Sequence, residues 1–153
     1  MKIKKEHRNL LIAMSIGDGY LNKNGYLDIW HSPKQKEFVD YKYDLIRMFC
    51  NIKPEVINRS GFNSYGFRTK SEDFLKLLRR IIYKNGKKNI TRKILNRLNA
   101  LGVAIWYMDD GHINIRKTGD KIHGFYIKIA TCEPIEQVEI IINYFKEVWD
   151  VSF

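Results

Sequence analysis

The sequence contains little cysteine, little proline and no long apolar run. Its two cysteines, Cys50 and Cys132, lack the spacing of metal ligands, which predicts reduced, buried thiols rather than a zinc site or a disulfide framework. With three prolines and no low-complexity stretch, the chain offers no proline-rich linker between domains. No apolar segment is long enough to span a bilayer, and the one after the basic N-terminus is too brief for a secretory signal. These absences predict an intracellular protein outside the membrane.

Acidic residues are scarce in the middle of the chain, although the formal net charge of the whole chain is +10. Residues 51–98 hold 13 Lys and Arg against 3 Asp and Glu, residues 1–50 hold 9 against 6, and residues 99–153 hold 5 against 8. The middle third therefore carries the positive excess, which indicates a polyanion such as DNA or RNA as the partner. On charge alone, a basic protein that is merely soluble remains the alternative.

Apolar periodicity and turn residues predict an internal repeat of helix, hairpin and helix. The first unit is expected to begin with a helix over 6–17 and a hairpin with a type I′ turn at Asn24-Gly25. A helix should then run from Ser32-Pro33 to about Phe49, with an apolar face of Phe38, Tyr41, Leu45 and Met48, and a hairpin over 55–70 should follow it. The unit should end with a helix that is capped by Ser71 and buries Leu75, Leu78 and Ile82, a basic loop over 84–89 and a short helix over 91–98. The second unit is expected to contain a helix over 99–110, a hairpin over 112–131 turning at 118–120 and a helix from Pro134 to about Trp149.

Each unit begins with a helix that ends in an aspartate followed by glycine. Asp18 and Asp110 lie 92 residues apart, at equivalent places in the repeat. A carboxylate is unfavourable at the negative end of a helix dipole, but beside the unpaired carbonyls of the last turn it suits a hard cation such as Mg²⁺. Two such helices packed side by side, with small residues such as Ala13 and Gly17 at the contact, would bring both carboxylates together. We therefore favour a metal site over two simple helix stops.

The two helix ends also carry a family resemblance. LIAMSIGDG (11–19) and VAIWYMDDG (103–111) resemble the two motifs of LAGLIDADG homing endonucleases of the single-chain, two-repeat, intron-encoded type, and NGKKNI (85–90) resembles the segment before the second motif. The resemblance implies an α+β fold with αββαββα repeats, in which the motif helices form a pseudo-twofold interface and saddle-shaped sheets lie in the DNA major groove. Residues 1–98 would be the first repeat and residues 99–153 a second repeat that is C-terminally truncated after helix, hairpin and helix.

The resemblance also implies the residues of the active site. Asp18 and Asp110 would be the catalytic pair that holds Mg²⁺ or Mn²⁺, with Gly17 and Asp109 as further metal contacts, Asp109 chiefly through its backbone carbonyl. Lys88 would stand beside the site and polarise water or phosphate; a plain phosphate contact and a shift of this role to Lys87 remain open. The metal would activate water for in-line attack and leave 5′-phosphate and 3′-hydroxyl ends. No histidine has metal-ligand spacing, and none is assigned as a ligand.

The strand pattern predicts a DNA-binding surface of polar, basic and aromatic side chains on the three hairpins. For any single residue a solvated strand face is equally expected, but the basic bias of the set favours DNA. The candidates are Asn22, Lys23, Asn24, Tyr26, Asp28 and Trp30 in the first hairpin; Arg59, Asn63, Tyr65, Arg68 and Lys70 in the second; Lys87 in the basic loop; and His112, Asn114, Arg116, Lys117, Lys121, His123 and Lys128 in the third.

These features together predict a site-specific homing endonuclease that makes a metal-dependent double-strand break at a long recognition site in double-stranded DNA. Three alternatives stay open: a DNA-binding protein that has lost cleavage, a maturase that binds intron RNA with the same fold, and a ribosomal-type basic protein. Two repeats predict a monomer, and a truncated second repeat leaves association open. A mobile genetic element in a bacterial or phage-infected cytoplasm or in an organelle is the expected setting.

Overall fold

The computed structural model describes residues 3–59, 61–131 and 134–152, and for Arg59 the backbone alone. The helices are α1 (Lys5–Ile16), α2 (Lys36–Ile46), α3 (Asp73–Ile82), α4 (Arg92–Leu95), α5 (Ala100–Asp110) and α6 (Ile135–Trp149). The strands are β1 (Tyr20–Leu21), β2 (Leu27–His31), β3 (Glu55–Arg59), β4 (Phe62–Arg68), β5 (Tyr83–Lys84), β6 (Lys87–Lys88), β7 (Gly111–Thr118) and β8 (Lys121–Ile129). The predicted α+β class is therefore confirmed, and the helices and the three expected hairpins follow the predicted order, with one further hairpin, β5–β6, where a basic loop was expected.

The first four strands form one antiparallel sheet in the order β1-β2-β4-β3. Alternation along β2 buries Leu27 and Ile29, and Ile29 pairs across the strands with Phe67 of β4, which is also buried. Because successive side chains of a strand point to opposite faces, this alternation gives the sheet one apolar and one polar face. The helices α2 and α3 contact this sheet. The face opposite the core carries Asp28, Trp30 and Arg68, of which Arg68 is exposed.

The turn between β1 and β2 differs from the expected type I′. Among described residues other than glycine, only Asn85 and Asp150 have positive φ, so Asn24 does not have the conformation that type I′ requires. Instead the Oδ1 atom of Asn22 accepts a hydrogen bond from the Asn24 amide at 2.7 Å, and Gly25 alone is left-handed, with φ 83°. A side chain that mimics a turn carbonyl has replaced the second left-handed residue.

Helix α2 buries a different face from the predicted one. Met48 and Tyr41 are exposed, whereas Val39, Lys42 and Ile46 are completely buried. A single 3₁₀ turn over Pro33–Gln35 precedes the helix, and Ser32 caps that turn as expected. The buried face is shifted by one residue from the predicted one. It includes a lysine, and a search for apolar residues at helical spacing does not count a lysine as buried.

The basic segment after α3 folds into a tight hairpin of β5 and β6 rather than a loop. Asn85 and Gly86 both have positive φ, at 51° and 80°, so this Asn-Gly pair adopts the backbone that a type I′ turn uses. Helix α3 buries Leu75, Leu78 and Ile82 as predicted. Its N-cap is Glu72, and the Ser71 hydroxyl, expected as the cap, donates instead to the Asn24 carbonyl at 2.6 Å.

The second half contains α5, the two-stranded sheet of β7 and β8, and α6. The turn at 118–120 is confirmed, and a register shift follows Arg116, so that His123 is the extra residue of β8. Helix α6 packs on α4 and on α5, where the Trp106 ring stacks on Phe145 at a centroid distance of 6.1 Å. Trp106 and Tyr144 are completely buried, and they anchor this half.

The thiol of Cys50 is buried and free, as predicted, and Cys132 lies outside the described residues. Burial raises the pKa of the Cys50 thiol to about 11, so the group stays protonated near neutral pH. Across the described part of the chain, none of the helices has the length and apolar character needed to cross a bilayer.

Candidate active site and nucleic-acid interface

Helices α1 and α5 lie side by side and run in the same direction. Near their N-terminal ends, the Asn9 carboxamide oxygen accepts the Asn99 amide at 2.8 Å and lies where a β-carbon on Gly102 would be. At their C-terminal ends, Gly17 faces Asp109, and a β-carbon on Gly17 would overlap the Asp109 carboxylate. Ala104 of α5 is exposed. The glycines permit the close approach, which places Asp18 and Asp110 at the same end of the helix pair.

Asp18 and Asp110 differ in their surroundings. The Asp18 side chain is 45% exposed, and one of its oxygens lies 3.7 Å from Nδ1 of His31. Asp110 is half-buried, and its Oδ2 accepts a hydrogen bond from the indole N–H of Trp106 at 2.9 Å. Burial raises the pKa of Asp110 to about 6, and the negative charges of Asp18 and Asp109 act in the same direction. One carboxylate is accessible, and the other is oriented by a buried indole.

Lys88 brings a positive charge to this end of the helices. Its ammonium donates a hydrogen bond to the Gly17 carbonyl, the last-turn carbonyl that was expected to contact metal. The Lys88 charge also acts on Asp110, where it opposes the rise in pKa. The neighbouring Lys87 is exposed. The structure therefore places Lys88, rather than Lys87, beside the two aspartates.

Asp109 was expected to contact metal chiefly through its backbone carbonyl, but its side chain has partners of its own. Its carboxylate is completely buried, forms an ion pair with Lys42 of α2 and accepts the Asp18 amide on Oδ2 at 3.2 Å. Burial raises the pKa of Asp109 and lowers the pKa of Lys42, while their mutual attraction opposes both shifts. Asp109 thus holds the backbone of Asp18, with Lys42 as its counter-charge.

Like Lys42, His31 lies at the site although the spacing of residues in the sequence did not identify it. Its buried ring lies between Lys42, whose Nζ is 3.1 Å from Nε2, and Gln35, whose Oε1 is 3.3 Å from Nδ1. Burial, followed by the Lys42 charge, lowers the pKa of His31. One ligand atom each from Asp18, His31 and Asp109 lie within 4.8 Å of one another. Alternation along β2, which puts His31 on the buried face with Ile29, is the signal that could have located it.

The carboxylates fit a hard divalent cation. The exposed Asp18 carboxylate and the Asp110 carboxylate, with one oxygen held by Trp106, provide oxygen ligands of the kind that Mg²⁺ and Mn²⁺ prefer. Burial, together with the charges of Asp18 and Asp109, raises the pKa of Asp110, and a bound cation would favour its ionised form.

The first sheet carries an ion pair on its polar face. Asp28 and Arg68 lie opposite each other on β2 and β4, and the guanidinium contacts both carboxylate oxygens, at 2.5 and 3.1 Å. The Arg68 guanidinium also lies over the Tyr26 ring, 5.6 Å from its centroid, and remains 51% exposed at its side chain. Trp30 follows Asp28 on the same face. Arg68 is thereby oriented and still available to a ligand.

Two candidates of the second hairpin take other positions. Tyr65 lies on the buried face of the sheet and donates its hydroxyl proton to Asp40 of α2 at 2.7 Å, which corrects its assignment to the DNA-binding face. Lys70 follows β4, and its ammonium is 3.4 Å from the carbonyl of Met48, which lies in the 3₁₀ turn Arg47–Phe49 that follows α2. The predicted contact of the Arg59 side chain lies outside the described residues. Lys23, Asn24 and Asn63 are exposed in or beside turns, and Asn22 is half-buried.

The hairpin of β7 and β8 has two unlike faces. Cross-strand partners share a face, and the pairs His112 with Lys128 and Asn114 with Tyr126 give one polar face. Arg116 and Lys128 both lie over the Tyr126 ring, 5.7 and 5.1 Å from its centroid. The remaining candidates, near or at the exposed tip, are Lys117, Lys121 and His123. On the opposite face lie exposed apolar side chains, namely Ile113, Ile115, Phe125 and Ile127.

Comparison with known proteins gives the family. The profile described as the LAGLIDADG DNA endonuclease family matches residues 8–153. The chain belongs to the LAGLIDADG DNA endonuclease family. The solved structure of the homing endonuclease I-WcaI bound to its DNA recognition sequence is similar to this LAGLIDADG chain, with a TM-score of 0.80, 21% identity and coverage of 99% of this chain and 70% of the other. At that identity the likeness establishes the fold.

Curated relatives of this LAGLIDADG chain include proteins named RecA. The protein from Mycolicibacterium chitae is 28% identical over 124 residues, which cover 77% of this chain and 29% of the relative. The protein from Mycobacterium shimoidei is 30% identical over 131 residues, which cover 80% of this chain and 30% of the relative. The chain therefore spans about three tenths of the length of these two curated relatives.

Proposed function

We propose that this LAGLIDADG protein is a site-specific endonuclease that makes a metal-dependent double-strand break in DNA. The observation that carries the proposal is the placement of Asp18 and Asp110 at the common end of the parallel helices α1 and α5, beside Lys88. Two carboxylates and an ammonium at one helix-pair end suit phosphodiester hydrolysis, in which negative charge develops on phosphate oxygens.

Each residue has a distinct task in this mechanism. Asp18 and Asp110 would hold Mg²⁺ or Mn²⁺, which when bound supplies a more acidic water and positive charge opposite the phosphate. The Trp106 hydrogen bond fixes one oxygen of Asp110 and thereby orients the other. Lys88, whose ammonium donates to the Gly17 carbonyl, would donate to a non-bridging phosphate oxygen. Asp109 keeps the Asp18 backbone in place through the Asp18 amide.

DNA binding would use the polar faces of the first sheet and of the β7–β8 hairpin. Arg68 is held by Asp28 and by the Tyr26 ring, so its guanidinium loses little freedom when it donates to a base edge or phosphate. On β7, Arg116 lies beside the Tyr126 ring in a comparable way. The I-WcaI structure contains its DNA recognition sequence, and the common fold supports this choice of partner.

The test exposes the protein to a large randomised duplex library with Mg²⁺ and sequences the new ends. We expect recurrent cuts at one long site, with ends that carry 5′-phosphates and 3′-hydroxyls. Asp18→Asn and Asp110→Asn should each abolish the cuts, whereas Asp120→Asn, a matched change at the exposed β7–β8 turn, should not. Duplex binding without recurrent cuts by the unaltered protein would contradict the proposal and favour a protein that only binds DNA.

A further inference from the structure

Lys42 is a completely buried cation beside the active-site carboxylates. Its ammonium contacts the Asp109 carboxylate, lies 3.1 Å from Nε2 of His31 and lies over the Phe38 ring, 4.2 Å from the centroid. A buried charge is retained only where its partners repay the loss of water. Here the partners are a carboxylate, an imidazole nitrogen and an aromatic face, so the ammonium is enclosed.

The same place has the donors of a metal site. Ligand atoms of Asp18, His31 and Asp109 lie within 4.8 Å of one another, and imidazole with carboxylate suits Mn²⁺, Co²⁺ or Zn²⁺. The Lys42 ammonium contacts two of these three residues. A divalent ion among the three donors would lie close to a buried like charge, where repulsion is poorly screened.

We propose that Lys42 is the resident cation of the cluster formed by Asp18, His31 and Asp109, and that it keeps divalent metal off His31 and Asp109. Metal binding is thereby confined to Asp18 and Asp110, and Lys42 is a positioning residue that decides which carboxylates serve the reaction. This inference rests on the proposed function for the use of Asp18 and Asp110, but its central claim concerns Lys42 and the cluster alone.

His31 reports on the same arrangement. An ammonium has donors and no acceptor, so Nε2 of His31 must accept from Lys42, and the ring proton belongs on Nδ1. Nδ1 then faces the Gln35 oxygen at 3.3 Å and the Asp18 oxygen at 3.7 Å. With one ring nitrogen accepting and the other protonated, His31 offers no lone pair to a metal while Lys42 remains in place.

The first test counts Co²⁺ bound by the metal-free protein in the absence of DNA. We expect Lys42→Met, which removes the charge at similar size, to bind one more Co²⁺ per chain than the unaltered protein, with the absorption of a nitrogen-ligated ion. The double variant with His31→Asn should lose this ion. Lys42→Arg keeps the charge and should bind as the unaltered protein does, as should Lys36→Met, an exposed change on the same helix. A folded Lys42→Met protein with no extra ion, or an extra ion in Lys42→Arg, would overturn the proposal.

A second test needs no variant at position 42 and therefore survives a folding defect there. Nitrogen-15 NMR of the unaltered protein, assigned with His31→Asn, should show the His31 proton on Nδ1, and added Zn²⁺ should leave both His31 ring nitrogens unshifted. A coordination shift at His31 would refute the role of Lys42. Neither test uses DNA or cleavage, so failure to cut a duplex library bears on the proposed function and leaves these outcomes independent of it.

Discussion

Asp109 faces Gly17 across the α1–α5 interface, with no room for a β-carbon between them. The carboxylate occupies the space that a side chain at position 17 would fill, and from there it reaches the Asp18 amide at 3.2 Å. The missing side chain on one helix is thus what admits the acidic side chain of the other. The position of Asp18 depends on this contact.

Gly17→Ala should therefore damage both packing and activity. The new methyl group would push the Asp109 carboxylate away, and we expect a loss of about 1–3 kcal/mol in the free energy of unfolding, as for overpacked sites. Cleavage should fall because the Asp18 backbone moves with its partner. Urea unfolding measures the first effect, and Ala104→Ser, an exposed change on α5, is the control. An unchanged unfolding midpoint would show that the α1–α5 interface accommodates the added methyl group without loss of stability.

Removing one partner of the buried ion pair should cost more than removing both. Lys42→Met leaves the Asp109 carboxylate buried without its counter-charge, and we expect a loss of about 3–5 kcal/mol. The double variant Lys42→Met with Asp109→Asn has no unpaired charge and should recover most of that loss. Chemical denaturation of the unaltered protein, of the single variants Lys42→Met and Asp109→Asn and of the double variant gives the coupling energy. Simple additivity of the two single variants would mean that the residues do not act as a pair.

Asp110 should make the metal-free protein less stable as pH rises through its raised pKa. Between the ordinary value near 3.8 and the folded value of about 6, the folded state holds a proton that the unfolded state has released, so higher pH favours unfolding. Asp110→Asn removes this dependence and should be more stable than the unaltered protein above about pH 6, on the order of 1–3 kcal/mol. The difference should vanish near pH 3.

That comparison uses unfolding curves at several pH values, with Asp120→Asn as the exposed carboxylate control. Metal binding should show the opposite trend, because a divalent ion requires the ionised carboxylate and binds more tightly above about pH 6. A difference between Asp110→Asn and the unaltered protein that is constant with pH would contradict the assigned titration.

Two isoleucine–phenylalanine pairs on the two sheets should differ sharply in their contribution to stability. Ile29 pairs with Phe67 in the first sheet, where Phe67 is 2% exposed, whereas Ile115 pairs with Phe125 in the β7–β8 hairpin, where Phe125 is 70% exposed. Phe67→Ala should cost about 3–5 kcal/mol. Phe125→Ala should cost less than about 1 kcal/mol. Equal losses would show that the second apolar face is covered in solution.

The basic face of β7 and β8 should contribute to DNA affinity through phosphate contacts. Arg116→Gln and Lys128→Gln should each weaken duplex binding and reduce the salt dependence of the binding constant by about one ion. Lys146→Gln, on the exposed side of α6, should do neither. Fluorescence anisotropy over a salt series provides the measurement. Equal effects of all three changes would indicate non-specific attraction.

The order of elements was predictable because local signals determine it. Apolar periodicity and Asp-Gly helix ends are properties of short stretches, and both halves follow them. The type of turn at each Asn-Gly pair was not predictable from the sequence. Asn24-Gly25 and Asn85-Gly86 are the same dipeptide, but only in the second are both residues left-handed. The short loop between two-residue strands requires the type I′ backbone at 85–86, whereas the Asn22 side chain substitutes for it in the first hairpin.

The candidate site was predictable where it resembles a known motif and hidden where it depends on distant partners. Asp18, Asp110 and Lys88 could be named from motif likeness. Lys42 could not, because a lysine at helical spacing from Val39 and Ile46 looks like a break in an apolar stripe. Its partner Asp109 is 67 residues away, and no local pattern links them. A lysine within a buried stripe is the signal that a search for buried charges would have found.

The contact between Gly17 and Asp109 also makes the two motif helices non-interchangeable. If two copies of α1, each with its own α2, met in this way, glycine would face glycine and each Lys42 of α2 would be buried without an acidic partner. If two copies of α5 met, two buried carboxylates would occupy the space of one. Only the mixed arrangement satisfies both volume and charge, so the two motif helices are complementary rather than equivalent.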